Sequence, residues 1–318
     1  MKKLLTMILI VTLLVGGLTS VISLAADYPE KEIEWVLWSN PGGGTDITAR
    51  TIGIPLRKLL GQPLVILNMS GGSGARAMTY FQDQKNDGYT LLFITSTLFT
   101  SIERKLVDYK LEDFEPVFLL NNDPQVIAVS AKSNIGNLTD LIVLGKKKSL
   151  KWGLTHLGGV DHVAIHSFVK NTDIQYDPVV YQSGGEVMVA ALGGVIDVFI
   201  SNPSEIMGQV ESGDLRVIAS MSEKRLSILP EVPTLQEKGY DVVAGTWRGV
   251  AVKKGTDPEI IKTLEDLFYK AADTDIYRSF LKNNGMDFDV KNAEEFKLFM
   301  VSQNEVFSEG IREIGLVQ

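Results

Sequence analysis

A chain of 318 residues that is 45% hydrophobic and 22% charged is neither disordered nor fibrous, and it is long enough for two domains with separate cores. Its formal net charge of −8 disfavours nucleic acid or an anionic membrane surface as the main partner, although local N–H groups in a narrow cleft can still attract a small anion. With no cysteine there is no disulfide, thiol nucleophile, cysteine metal site or lipid-bearing cysteine.

The chain opens with Lys2 and Lys3, an apolar stretch from Leu4 to Val15, and Ser23 and Ala25 at cleavage-site spacing. This reads as a secretory signal peptide over residues 1–26, cut after Ala25 or Ala26. An uncleaved anchor is the competing reading, and the Gly16-Gly17 break and small-residue end argue against it. Cleavage removes two lysines and no acid, which takes the charge from −8 to −10. The exported chain is expected free in the periplasm.

Ile33 to Trp38 reads as a strand, and Gly42, Gly43 and Gly44 follow it. Three residues without a Cβ let the chain turn sharply and bring N–H groups close to a ligand, with Thr45 or Asp46 as the expected helix cap. A helix N-terminus behind such a turn attracts anions; the alternative is a plain strand-to-helix turn. Ile47 to Leu60 has helical spacing, with Pro55 inside it and Gly61 as its stop. Leu64 to Leu67 is a second strand, residues 68–74 a second glycine turn, and a helix follows from Ala75. Asp87-Gly88 is another turn, Thr90 to Thr95 a third strand, and Ser96-Thr97 is expected to begin a loop. Alternating strands and helices predict a parallel, helix-covered sheet that binds ligands beyond the carboxyl ends of its strands.

From Asp113 two apolar runs flank Asn121-Asn122-Asp123-Pro124, which reads as a crossing between domains. A second series then begins, with strands at Lys151–Leu154, Val179–Tyr181, Val195–Ile200 and Leu215–Ser220, and helices at Val163–Val169 and Val187–Leu192. The chain returns at Trp247–Val252. Asp257-Pro258-Glu259 starts the first of two or three terminal helices, broken near Asp273 and Gly285. The expected division is 27–124 plus 246–318 for one lobe and 125–245 for the other.

Three chemistries compete with simple binding. A dinucleotide site needs a small residue where Ile47 stands and an acid where the second strand ends at Asn68. A serine nucleophile elbow around Ser73 has Ala75 in place of its last glycine and no histidine late in the chain. His162 and His166, with Asp161 adjacent, have metal-ligand spacing, but Val163 occupies the position of the zincin glutamate. No catalysis, metal or cofactor is expected.

The ordered segments YPEKEIEWVLWSNPGGGTD, GQPLVILN, SGGSGARA, DGYTLL, DFEPV, GGVDH, LGGVIDVFISN, SGDLRVIA and LPEVPTLQEKGY closely resemble the extracytoplasmic solute-binding receptors of tripartite tricarboxylate transporters, the Bug or TctC family. The resemblance covers essentially the whole mature chain. It implies an α/β, two-lobed periplasmic-binding-protein fold, a Venus flytrap of type II-like form with two interdomain crossovers. It implies a monomer that captures a small organic carboxylate for the transporter's membrane subunits. The first-lobe ligand set it implies is Gly42, Gly43, Gly44, Thr45 and Asp46, with Ser73, Gly74 and Thr97. The facing set is Gly158, Gly159, Val160 and His162, with Tyr181, Ser183, Gly184 and Asn202. Gly159 and Ser183 depart from the family's usual residues there, Thr or Ser and Gly respectively. An ordinary cap or turn remains the alternative for each second-lobe residue. A carboxylate sensor signalling to a kinase and a secreted serine hydrolase are the other functional readings, and the identity of the carboxylate stays open.

Overall fold

The computed structural model describes residues 28–71, 74–181 and 183–316, so the expected signal peptide and Ser73 lie outside the described residues. Two five-stranded sheets are present among them. The first is built from β1 (Ile33–Leu37), β2 (Leu64–Asn68), β3 (Thr90–Thr95), β4 (Phe114–Pro124) and β10 (Gly245–Lys253), and the second from β5 (Val126–Ser130), β6 (Leu150–Leu154), β7 (Tyr176–Val180), β8 (Val198–Ser201) and β9 (Leu215–Ser220). The first runs β2-β1-β3-β10-β4, the second β7-β6-β8-β5-β9. In the first, β1 pairs parallel with β2 and β3, whereas β10 is antiparallel to β3 and β4. The second repeats this plan, with β6 parallel to β7 and β8, and β5 antiparallel to β8 and β9. Each antiparallel strand is the one formed directly after the chain crosses from the other sheet.

Burial explains the strand composition. Every residue of β3 and β5 is buried, as expected for strands covered on both faces. Edge strand β7 is mostly exposed or half-buried and tolerates Pro178.

Helices α1 (Gly44–Leu60), α8 (Pro258–Ala272) and α9 (Asp275–Asn283) cover one face of the first sheet through Ile52, Leu56, Phe268 and Tyr277. Helices α2 (Ala75–Asp83), α3 (Thr97–Glu103) and α10 (Ala293–Ile314) cover the other through Phe81, Phe99, Phe296 and Phe307. On that face the Trp247 ring lies 5.3 Å from Phe99 and 5.5 Å from Phe296, aromatic pairs worth about 0.5–1.5 kcal/mol each beyond their burial. The second sheet is covered by α4 (Leu138–Gly145) and α5 (Val160–Val169) on one face, and by α6 (Gly184–Leu192) and α7 (Pro203–Glu211) on the other. Helix α10 also reaches the second lobe: a Cβ on Gly310 would lie 2.7 Å from Val163 Cγ1, and Glu313 pairs with His166 at 2.9 Å and Lys170 at 3.0 Å.

Several local expectations are corrected. Thr97 opens a short helix rather than a loop. Strand β4 continues through the polar Asn121–Pro124 run, and Gln125 alone separates it from β5. Gly245, Thr246 and Trp247 of the returning strand pair with Pro124, Asp123 and Asn122, so the two crossing segments lie hydrogen-bonded side by side. Continued pairing, which local polarity does not reveal, keeps those polar residues extended. Helix α4 was not anticipated; Asn137 caps it by accepting from the Asp140 N–H.

Candidate functional site

The first glycine loop follows β1 and ends in α1. Gly42 has φ +82°, a left-handed conformation natural to glycine, and Gly43 is the helix N-cap. Neither Thr45 nor Asp46 caps the helix as expected, and no side chain caps the first turn. Its N–H groups therefore keep the donor capacity that helix geometry leaves unused. The buried Asp46 instead holds the loop from beneath. Its carboxylate accepts from Gly42 N (2.9 Å), Arg50 Nε (2.9 Å) and Asn68 Nδ2 (3.0 Å). Burial pushes its pKa up, but these donors outweigh burial and hold it below the usual carboxylate range. Asp46 belongs to the loop's support and not to its open face.

The second loop joins the first through Gly74, which has φ +95° and lies so close to Trp38 that a Cβ would sit 2.8 Å from Trp38 Cε3. Thr97 is exposed at the start of α3. The structure also brings in Arg248, which sequence reasoning left unweighed. From β10 its Nη2 lies 3.3 Å from where a Gly44 Cβ would stand, and its Nη1 pairs with Asp123 Oδ2 at 3.4 Å. A charged pair inside two mostly buried strands was the available signal.

On the second lobe, Gly158 has φ +68° and Gly159 is the N-cap of α5, followed by the half-buried Val160. His162 is 4% exposed and turns beneath this loop: Nδ1 accepts from Gly158 N at 3.0 Å, and Nε2 lies 3.1 Å from Tyr176 Oη. A backbone N–H can only donate, so Nδ1 is unprotonated and Nε2 carries the proton. The ring holds the glycine turn in place and offers no free nitrogen to a ligand. Burial, with a smaller contribution from His166, pushes its pKa down to about 4.

This pKa predicts an acid-sensitive loop. The unfolded ring takes up its proton near pH 6.5 and the folded ring near pH 4, so His162's contribution is fully present above pH 6.5 and is lost as pH falls through 4. At about 1.4 kcal/mol per pH unit of separation, the loss reaches about 3 kcal/mol. His162→Asn keeps an acceptor for Gly158 and removes the titration. Urea unfolding at pH 7 and pH 4.5 should show a smaller stability loss in this variant than in the wild type; equal losses would count against the assignment.

Of the remaining expected residues, Tyr181 is half-buried and Ser183 caps α6, its Oγ accepting from Glu186 N at 3.3 Å. Gly184 and Asn202 meet at a cavity of about 140 Å³ at the carboxyl ends of β6 and β8, which Thr155, Asp161, Ser201 and Glu205 also line. Asn202 Nδ2 donates to the Asp123 carbonyl at 2.7 Å. Arg248, placed beside Gly44, pairs with Asp123, whose carbonyl accepts from Asn202, so polar links run from the crossing strands towards the loops of both lobes. A larger cavity of about 330 Å³, between the Leu111–Asp113 turn and α10, contains none of the loop residues.

Residues 48–316 match the family model described as Tripartite tricarboxylate transporter family receptor. The chain belongs to this TctC family. Protein BugT of Bordetella pertussis is 30% identical over 307 residues, covering 94% of each chain. A TctC solute-binding protein from Polaromonas, solved without ligand, superposes with a TM-score of 0.84 at 28% identity, over 90% of this chain and 100% of its own. An R. palustris protein solved with adipate shares the fold with a TM-score of 0.76 at 24% identity, over 91% of this chain and 99% of its own. TctC proteins are solute-binding receptors and not enzymes, so the loops of this TctC chain are judged by what they can hold.

Proposed function

We propose that this receptor captures a small organic carboxylate between the glycine loops of its two lobes and passes it to the membrane subunits of a tripartite tricarboxylate-type transporter. The carrying observation is the first loop itself: an uncapped helix start behind Gly42–Gly44, held from beneath by Asp46, with the Arg248 guanidinium alongside. Hydrogen bonds to a charged group contribute about 1.5–3 kcal/mol each, so three or four N–H contacts supply much of the roughly 8 kcal/mol that micromolar binding requires. Residues 27–124 with 246–318 form one lobe of the clamp and 125–245 the other. Ser73, Gly74 and Thr97 add to the first-lobe grip; Gly158, Gly159, Val160, Tyr181, Ser183, Gly184 and Asn202 form the facing one. The protein works in the periplasm as a monomer after loss of residues 1–26. Adipate in the R. palustris relative supports an organic acid as the ligand class.

A thermal-shift panel of mono-, di- and tricarboxylates on ligand-stripped protein tests this. A ligand present at a hundred times its Kd adds about 2.7 kcal/mol, a rise of several degrees in Tm for a protein of this size. No rise with any organic anion at millimolar concentration would refute the reading.

A further inference from the structure

We propose that Arg248 is the residue that makes this receptor select an ionised carboxylate over the uncharged amide of the same shape. This rests on the reading that the glycine loops hold a carboxylate, and it deepens that reading by naming what separates a charged ligand from a neutral one.

Backbone N–H donors alone discriminate weakly between the two, because an amide carbonyl accepts from them as a carboxylate oxygen does. A fixed cation at the same point changes this. In β10, Arg248 pairs with Thr95, the last residue of β3, which sets it level with the carboxyl ends of the first sheet, where the glycine loops emerge. Its side chain is 13% exposed, and Nη2 lies beside the exposed Gly44, the first residue of α1. That approach also explains why residue 44 is glycine. Of Gly42, Gly43 and Gly44 only Gly42 has a positive φ, so the backbone at 44 does not itself call for glycine. The one atom within 4 Å of a Cβ built there is Arg248 Nη2, at 3.3 Å, so the missing side chain leaves the guanidinium room against the helix start.

The second observation is that this guanidinium is loosely held. Its acceptors among the described residues are Asp123 Oδ2, 3.4 Å from Nη1, and the Met286 sulfur, 4.0 Å from the same nitrogen; Nη2 has none. Other arginines of the chain close on their acids: Arg225 Nε meets the two Glu237 oxygens at 3.0 and 2.9 Å, and Arg50 Nε meets Asp46 at 2.9 Å. Charge-assisted N–H···O bonds settle at about 2.7–2.9 Å, so Arg248 keeps most of its donor capacity for another partner. Asp123 is itself shared with Ser204 Oγ at 3.4 Å. The positive end of the α1 dipole and the guanidinium thus adjoin, two like charges whose repulsion is relieved by an anion lying against both. Across the lobes the same charge offsets part of the burial that raises the Glu205 pKa. In this arrangement Asp123 competes with the ligand for Arg248.

Calorimetry on ligand-stripped protein with acid and amide pairs tests this: succinate against succinamide, adipate against adipamide, and benzoate against benzamide. Any acid that binds should do so about tenfold or more tighter than its amide, the difference between a charged and a neutral hydrogen bond. Asp123→Asn removes the competing acid and keeps the guanidinium, so it should bind the acid as tightly as the wild type or tighter. Asp123→Asn combined with Arg248→Met should bind it about tenfold or more weaker than Asp123→Asn alone, with a thermal melt checking the fold of each variant. An amide that binds nearly as well as its acid would overturn the charge selection and leave the grip of the loops standing. Equal weakening in both variants would show that the ion pair only supports the loop, and unchanged affinity in both would remove Arg248 from the site; either result overturns the assignment. Binding by none of the acids at millimolar concentration would sink this proposal and the carboxylate reading together.

Discussion

Gly43→Val is expected to abolish ligand binding while the protein still folds. Gly43 has φ −77°, which any residue adopts, and the nearest atom to an added Cβ is the Asn40 carbonyl oxygen at 3.5 Å, an ordinary contact. Gly42 would be the wrong choice, since its φ of +82° adds backbone strain whatever the side chain does. A branched side chain at the N-cap stands beside the first-turn N–H groups and keeps a carboxylate at a distance. Loss of two contacts to a charged group lowers affinity by a hundredfold or more, about 3 kcal/mol. Calorimetry with the best ligand of the carboxylate panel gives the affinity, and a thermal melt checks the fold. Unchanged affinity would place the grip elsewhere.

The second large effect is on stability. Arg248 is 13% exposed and Asp123 2%, and their contact at 3.4 Å joins the two paired crossing strands. The attraction is not enough to cancel burial, since the Asp123 pKa remains raised despite Arg248, Asn202 and Ser204. Removing the guanidinium alone leaves a buried acid unpaired, so Arg248→Met should cost about 3–5 kcal/mol. Adding Asp123→Asn removes the orphaned charge, and the double variant should recover most of that loss. Urea denaturation of the two single variants and the double variant gives the coupling. Equal instability in Arg248→Met and the double variant would mean that the arginine acts through packing alone.

These two residues also mark where reading the chain by itself reached its limit. Thr90–Thr95 and Leu215–Ser220 were legible to the residue, because a largely buried strand is a short apolar run between turn signals. The glycine turns were legible for the same local reason. Polar residues at Asn121–Pro124 were legible as the crossing but not as part of a continuous strand, because what keeps them extended is pairing with a strand that arrives about 120 residues later. The Arg248–Asp123 contact spans 125 positions and has no periodicity to betray it. Asp161 was noticed only as a neighbour of His162. Its tie to Gln125 and the cavity it shares with Glu205 emerge only once β5, β6 and β8 lie side by side. His162 shows the converse difficulty: its position was evident, but whether its ring faces a ligand or a backbone N–H depends on packing beneath the loop.

The close approach of Gly74 to Trp38 carries a spectroscopic consequence. Of the four tryptophans, Trp35, Trp152 and Trp247 are sealed in the cores, and only Trp38 is partly open to solvent. Its indole packs against Gly74 at the end of the second glycine loop. The protein therefore carries a built-in optical probe beside its glycine loops, and a water-borne quencher such as iodide or acrylamide samples that surface against a background of shielded fluorophores.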